Sequence, residues 1–155
     1  MPGSSQKHWF DAIDRPITQF LQKHGTRLLR WSVAVIFIWF GALKWFDLSP
    51  AIELATRTIY WIPPRIFIPI LATWEVVIGL CLLIRPLIRF AVLLLAGQML
   101  GTFLPLILLP EVCFIRIPYA PTLEGQYILK NMVIIAAAMV VGGTVRKQST
   151  DFQRL

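Results

Sequence analysis

Four apolar stretches separated by polar or proline-rich links set the pattern of this chain. They run from about Leu28 to Phe46, from Phe67 to Ile84, from Leu87 to Leu109 and from Gln126 to about Gly143. Each is close to the ~20 residues that an α-helix needs to cross a hydrocarbon layer of ~30 Å. A chain inside that layer must satisfy its own backbone N–H and C=O groups. The pattern therefore predicts an all-α fold, an integral membrane antiparallel four-helix bundle. Between the second and third stretches, Arg85-Pro86-Leu87-Ile88-Arg89 leaves room only for a tight antiparallel turn. The last connection, Pro110 to Gly125, holds Pro110, Pro118 and Pro121 and reads as extended.

Two further segments alternate at helical spacing without being long enough or apolar enough to span. From His8 to Gly25, Trp9, Phe10, Ile13, Ile17, Phe20 and Leu21 recur with Asp11, Asp14, Gln19, Gln22 and Lys23 between them. This predicts an N-terminal amphipathic helix lying at the interface and restarting at Asp14–Pro16. Ala51 to Ile62 predicts a short interfacial helix in the first outer loop, with Ser49 as N-cap, Pro50 at the first helical position and Pro63-Pro64 ending it. The chain thus divides into a tail and interfacial helix at 1–27, a four-span domain at 28–145 and a tail at 146–155. The apolar centre Trp31–Leu43 resembles a signal-peptide core, but bulky Trp45 and Phe46 follow where small cleavage-site residues belong, so the segment reads as retained.

Composition agrees with the pattern. Of the 155 residues 57% are hydrophobic and only 15% charged, and mean hydropathy is +0.68. These values lie outside the range of soluble domains. A formal charge of +7 would suit nucleic acid in a soluble protein. Here the basic residues flank the spans, where topology and anionic lipid account for them, and no nucleic-acid partner is expected. Ten lysines and arginines fall on the side of the two tails and the middle turn, against five on the other. Both termini are therefore expected in the cytoplasm, with the chain multi-pass in a cell (inner) membrane. Cys81 and Cys113 are expected near opposite faces, too far apart to bridge. His8 and His24, sixteen residues apart without a companion cysteine, do not read as a metal pair, and no metal site is expected.

What the pattern does not absorb is a set of polar groups inside the spans. Glu75 interrupts the second at its middle, where a charge costs roughly 2.5–3.5 kcal/mol and turns to the bundle interior or a wet cavity. Lys44 closes the first span, Gln98 lies midway along the third, and Lys130 and Asn131 lie in the second turn of the fourth. These five are expected to meet as an intramembrane polar or ligand-binding cluster. A lysine that merely snorkels to the interface remains open for Lys44. Gly41 and Gly79 lie on the same helical stripes as Lys44 and Glu75 and are expected to admit a neighbouring helix closely. Gly97-x-x-x-Gly101 leaves two alternatives, close packing within the chain or a homodimer contact. No HExxH, phosphate-binding glycine loop or GxSxG is present, and no catalytic residue is assigned.

Three motifs carry a family likeness. Phe40-Gly41-Ala42-Leu43-Lys44-Trp45-Phe46 resembles the glycine-to-lysine signature closing the first helix of the DoxX family. Glu75-Val76-Val77-Ile78-Gly79 is similar to the stretch in that family's second helix, and Gly125 to Asn131 to the GxYxLK segment opening its last. The likeness covers roughly Leu28 to Gly143. It implies a small four-helix membrane protein, some relatives being tied to quinone-linked thiosulfate oxidation, oxidative-stress complexes or reactive-chlorine resistance. Two functions follow as expectations. In one the chain is an accessory subunit beside redox-enzyme subunits, with quinone or a small polar compound at the cluster. In the other it is a non-enzymatic scaffold or assembly factor with a structural salt bridge. A proton-coupled carrier comes third, because four short spans lack an inverted repeat.

Overall fold

The computed structural model describes the backbone of residues 4–152 and the side chains of residues 14–144. The first element, α1 (Ser4–Trp45), is one helix of 42 residues. The chain stays helical through Pro16 and Gly25, so the expected restart at Asp14–Pro16 does not divide it. The amphipathic lead-in and the first span are one rod. No side chain competes for space at Gly25, where an added Cβ would meet nothing within 4 Å. The apolar sequence on either side simply carries the helix past it.

α1 ends by a closure that its sequence does not advertise. Asp47 adopts a left-handed backbone (φ 54°), and the Leu48 N–H donates to the Leu43 carbonyl at 2.9 Å. A backbone of this kind usually calls for glycine or asparagine, and aspartate is among the few others that tolerate it. After it come α2 (Ala51–Thr58), the short helix expected in the loop but ending four residues before the expected Ile62, and α3 (Pro64–Leu83). Pro64 stands at the first position of α3, where its missing N–H costs nothing. The Ser49 hydroxyl accepts from the Ala51 N–H at 3.4 Å, a long bond, and Pro50 takes the cap position.

A single 3-10 turn, Arg85–Leu87, reverses the chain into α4 (Ile88–Phe103). The third span breaks at Leu104, where Pro105 starts α5 (Pro105–Leu108). The second connection differs from the extended segment expected of its prolines. Pro110 opens one helical turn, α6 (Pro110–Cys113), and an antiparallel hairpin follows, β1 (Phe114–Arg116) with β2 (Ala120–Pro121). Proline suits a first helical position as well as an extended one, which is why composition alone misjudged the segment.

The fourth span begins three residues before the expected Gln126. Thr122 caps α7 (Leu123–Leu129), accepting from the Gly125 N–H at 3.2 Å while donating to the Val112 carbonyl at 2.7 Å. Lys130 separates α7 from α8 (Asn131–Phe152).

Four helical segments are long and apolar enough to cross a membrane: Asp14–Trp45, Pro64–Leu83, Arg85–Leu108 and Leu123–Thr144. They pack in a ring, α1 against α3 and α8, and α4 against the same two. The result is the four-helix bundle, a multi-pass membrane protein. Its core gathers Val33, Ala34 and Phe37 of α1, Ile78 and Leu82 of α3, Leu95 and Met99 of α4, and Val141 of α8. This core fills the half nearer the tails. Large side chains such as Leu93, Leu100, Val133 and Met139 stay exposed, as a surface bathed in lipid requires.

Candidate functional site

α1 and α3 approach each other through two glycines. A Cβ on Gly41 would come within 2.7 Å of the Ala72 carbonyl oxygen, and one on Gly79 within 2.7 Å of the Ala34 carbonyl oxygen. Each glycine thus faces an alanine across the seam, in opposite directions. Only a hydrogen at these two positions lets the backbones meet. Gly97 and Gly101 behave differently. The first would make ordinary contact with the Trp74 ring at 3.9 Å, and the second would meet nothing within 4 Å. The close intramolecular packing expected of that pair is absent.

This seam places Lys44, one turn above Gly41 on α1, opposite Glu75, one turn above Gly79 on α3. Lys44 Nζ donates to Glu75 Oε2 at 2.6 Å, and the two residues are 6% and 8% exposed. Gln98 reaches over from α4 and donates from Nε2 to Glu75 Oε1 at 2.8 Å. Both carboxylate oxygens are therefore engaged, one by a cation and one by an amide. A buried charge survives only when paired and hydrogen-bonded, and this one is. The network joins three of the four spanning segments.

One acceptor in it is left over. Gln98 Oε1 is buried and has no hydrogen-bond partner among the described residues. The amide is held through its nitrogen alone, and the helix backbone beneath it carries a separate bond. The nitrogen is tied to Glu75, and the Gln98 backbone carbonyl accepts from the Thr102 hydroxyl at 3.0 Å. Beside it the Trp74 indole N–H donates to the Leu94 carbonyl at 3.2 Å, a second polar link between α3 and α4 that the sequence reading missed. A tryptophan next to Glu75 in an apolar run looks like any lipid-facing aromatic. On the far side of Trp74 runs a groove of about 430 Å³ between α3 and α4, lined by Pro69, Ile70, Thr73, Val77, Phe90 and Leu94.

Lys130 and Asn131, expected in the same cluster, stand apart from it. Lys130 is exposed, and its ammonium lies 3.2 Å from the centroid of the Tyr127 ring and 5.6 Å from that of Phe40. Asn131 donates from Nδ2 to the Tyr127 carbonyl at 3.3 Å, an internal link at the α7–α8 junction. The reason is angular. Ile128, two residues before Lys130, takes the buried direction of that helix turn at 4% exposure and sends the lysine outwards. The expected Lys/Glu/Lys arrangement is thus a Lys/Glu/Gln one.

Cys81 and Cys113 are both free and buried. Cys113 lies outside the spans, against Gly125, whose absent Cβ makes room for the Cys113 carbonyl. Burial pushes its thiol pKa up, and the carboxylates of Glu124 and Glu111 add to the shift. Among the described residues no three His, Cys, Asp or Glu side chains gather as metal ligands would.

Among proteins of known family, the DoxX family profile matches residues 25–107. That segment contains Lys44, Glu75 and Gln98 and stops short of Tyr127, Lys130 and Asn131, so the third motif lies beyond it. No curated protein and no solved structure matches the chain. The profile nevertheless spans more than half the chain, including α1 from Gly25 through α3 and α4, and on that match this four-helix membrane protein belongs to the DoxX family.

Proposed function

We propose that the chain is an accessory membrane subunit in quinone-linked redox chemistry or oxidative-stress defence, and that its Lys44–Glu75–Gln98 network receives a small donor-bearing molecule. The observation that carries this is Gln98 Oε1, a buried acceptor with nothing donating to it. An unsatisfied buried acceptor costs about 1–3 kcal/mol. A hydroxyl, such as that of a reduced quinone headgroup, would relieve that cost while Lys44 and Glu75 keep the surroundings polar. The redox setting comes from the family likeness, and the tails are taken to face the cytoplasm on the excess of lysine and arginine beside them.

A second reading is favoured by a different observation. The ion pair is complete in itself, at 2.6 Å and nearly excluded from solvent, and locks α1 to α3 as a scaffold or assembly factor would need. Gln98→Leu separates the two, since it removes the free acceptor and keeps the Lys44–Glu75 ion pair, although Glu75 Oε1 loses its donor. On the first reading the variant folds, loses co-purifying quinone or polar ligand, and fails to complement a deletion strain under oxidant stress. Full complementation by a folded Gln98→Leu protein would transfer the function to the scaffold.

A further inference from the structure

Lys130 is a cation that the bundle positions and does not neutralise. Its ammonium makes no hydrogen bond and no ion pair with any described residue, in contrast to Lys44, whose charge is met by Glu75. Two aromatic faces hold it instead. One belongs to Tyr127, three residues earlier, and the other to Phe40 on α1, so the amine bridges the seam between the first and last spans. Rings attract a cation but do not cancel its charge, and both are themselves partly open, Tyr127 at 49% and Phe40 at 37% exposure. The amine has donors to spare and an open side from which a ligand can approach.

Depth identifies the anion. Tyr127 lies four residues into the last span and Phe40 five residues from the end of α1, which places both rings roughly 6–8 Å below the same face of the bundle. The lysine side chain runs back towards that face, as helical side chains do towards their N-terminus. The last span, at about 33 Å, barely exceeds a hydrocarbon layer of ~30 Å, so the amine lies just inside the boundary with the headgroups, within reach of a phosphate there. We infer that Lys130, with Tyr127 and Phe40, forms a binding site for the phosphate of an anionic phospholipid at the junction of α1 and the α7–α8 break. The acyl chains of that lipid lie along the exposed apolar surface of α8, where Val133 and Val140 stand open. A lysine that only snorkels would hold any lipid loosely, whereas an amine fixed over two rings selects a charge in one place.

The test uses the purified full-length protein in detergent, titrated with phosphatidylglycerol or with phosphatidylcholine and read by native mass spectrometry. Phosphatidylglycerol should be retained in preference to phosphatidylcholine. Lys130→Gln should weaken its retention about fivefold, the factor expected of one basic side chain at an anionic membrane surface. Lys130→Arg should keep it, because a guanidinium also sits over aromatic rings. Tyr127→Leu, which leaves the charge and removes the ring, should weaken it too. The wild-type protein alone can overturn the proposal, by showing no preference between the two lipids. Equal retention by wild type and a folded Lys130→Gln would also overturn it, as would displacement of the lipid by millimolar inorganic phosphate, which would mean a site for free anions.

Discussion

The two ends of the bundle solve the same packing problem by opposite means. Towards the tails, α1, α3, α4 and α8 meet through aliphatic side chains and alanines, with Ala34, Ile78 and Ala91 fully buried. Towards the loops, three of them, α1, α3 and α4, meet through an ion pair and an amide. In lipid the hydrophobic effect does not drive helices together, so each half depends on fit, and the loop half adds polar bonds that have few competitors there. A dry seam tolerates small changes of volume where flexible side chains meet, and none at Gly41 or Gly79, where backbone faces backbone. A charged seam tolerates few changes of any kind, because removing one partner leaves the other without compensation.

The contrast is sharpest at Glu75. Glu75→Ala should cost about 3–5 kcal/mol, the penalty for stranding Lys44, and should appear as a large fall in thermal stability in detergent. Pairing Glu75→Gln with Lys44→Gln should recover much of the loss, whereas pairing it with Lys130→Gln should recover none, since Lys130 lies outside the network. Recovery by the Lys130 pairing would erase the distinction drawn between the two lysines. Gly79→Leu tests the dry half, where the added side chain must displace the Ala34 carbonyl and Ile38. Overpacking costs roughly 1–3 kcal/mol where side chains can give and more where, as here, backbone must move, so thermal unfolding should place it level with Glu75→Ala. Gly101→Ala, by contrast, meets open space and should change the unfolding temperature little, by an amount equivalent to within about 0.5 kcal/mol. The smallest effect concerns Cys113. With its pKa raised, less thiolate exists at any given pH, so maleimide labelling of Cys113 should set in at higher pH than for an exposed cysteine. Labelling as fast as that of an exposed control thiol would contradict the burial.

Hydropathy made the spans legible because lipid imposes one coarse requirement on every residue of a span. The turn at Arg85–Arg89 and the short helix after Pro50 followed from punctuation that means the same thing in most contexts. The pairing of Glu75 with the end of the first span was arguable from cost and stripe alone. What remained hidden depended on angle rather than on spacing along the chain. Lys130 and Gln98 both lie at suitable depth, and nothing in the sequence states that Ile128 takes the inward direction and turns Lys130 away. Nor does a GxxxG pattern say which way it faces. Gly41 and Gly79 proved to be the close contacts, at the seam of α1 and α3, whereas Gly101 lies just as near a member of the polar network, Gln98, and faces open space. The Thr122 cap was readable in principle, from a threonine before Glu124 and Gly125, but the proline-rich segment before it drew the eye to extended chain.

The continuity of α1 has a mechanical consequence. At ~1.5 Å per residue its 42 residues measure about 63 Å, roughly twice the hydrocarbon thickness, so one continuous helix is clamped in the bundle from about Leu29 to Lys44 and runs on about 37 Å beyond that grip. A helix that tilts to match a thinner or thicker bilayer pivots about its clamp. A tilt of about 10° would swing the tip roughly 6 Å sideways, about half a helix diameter. The far end of α1 would then move with bilayer thickness while the packing of the bundle stays as it is.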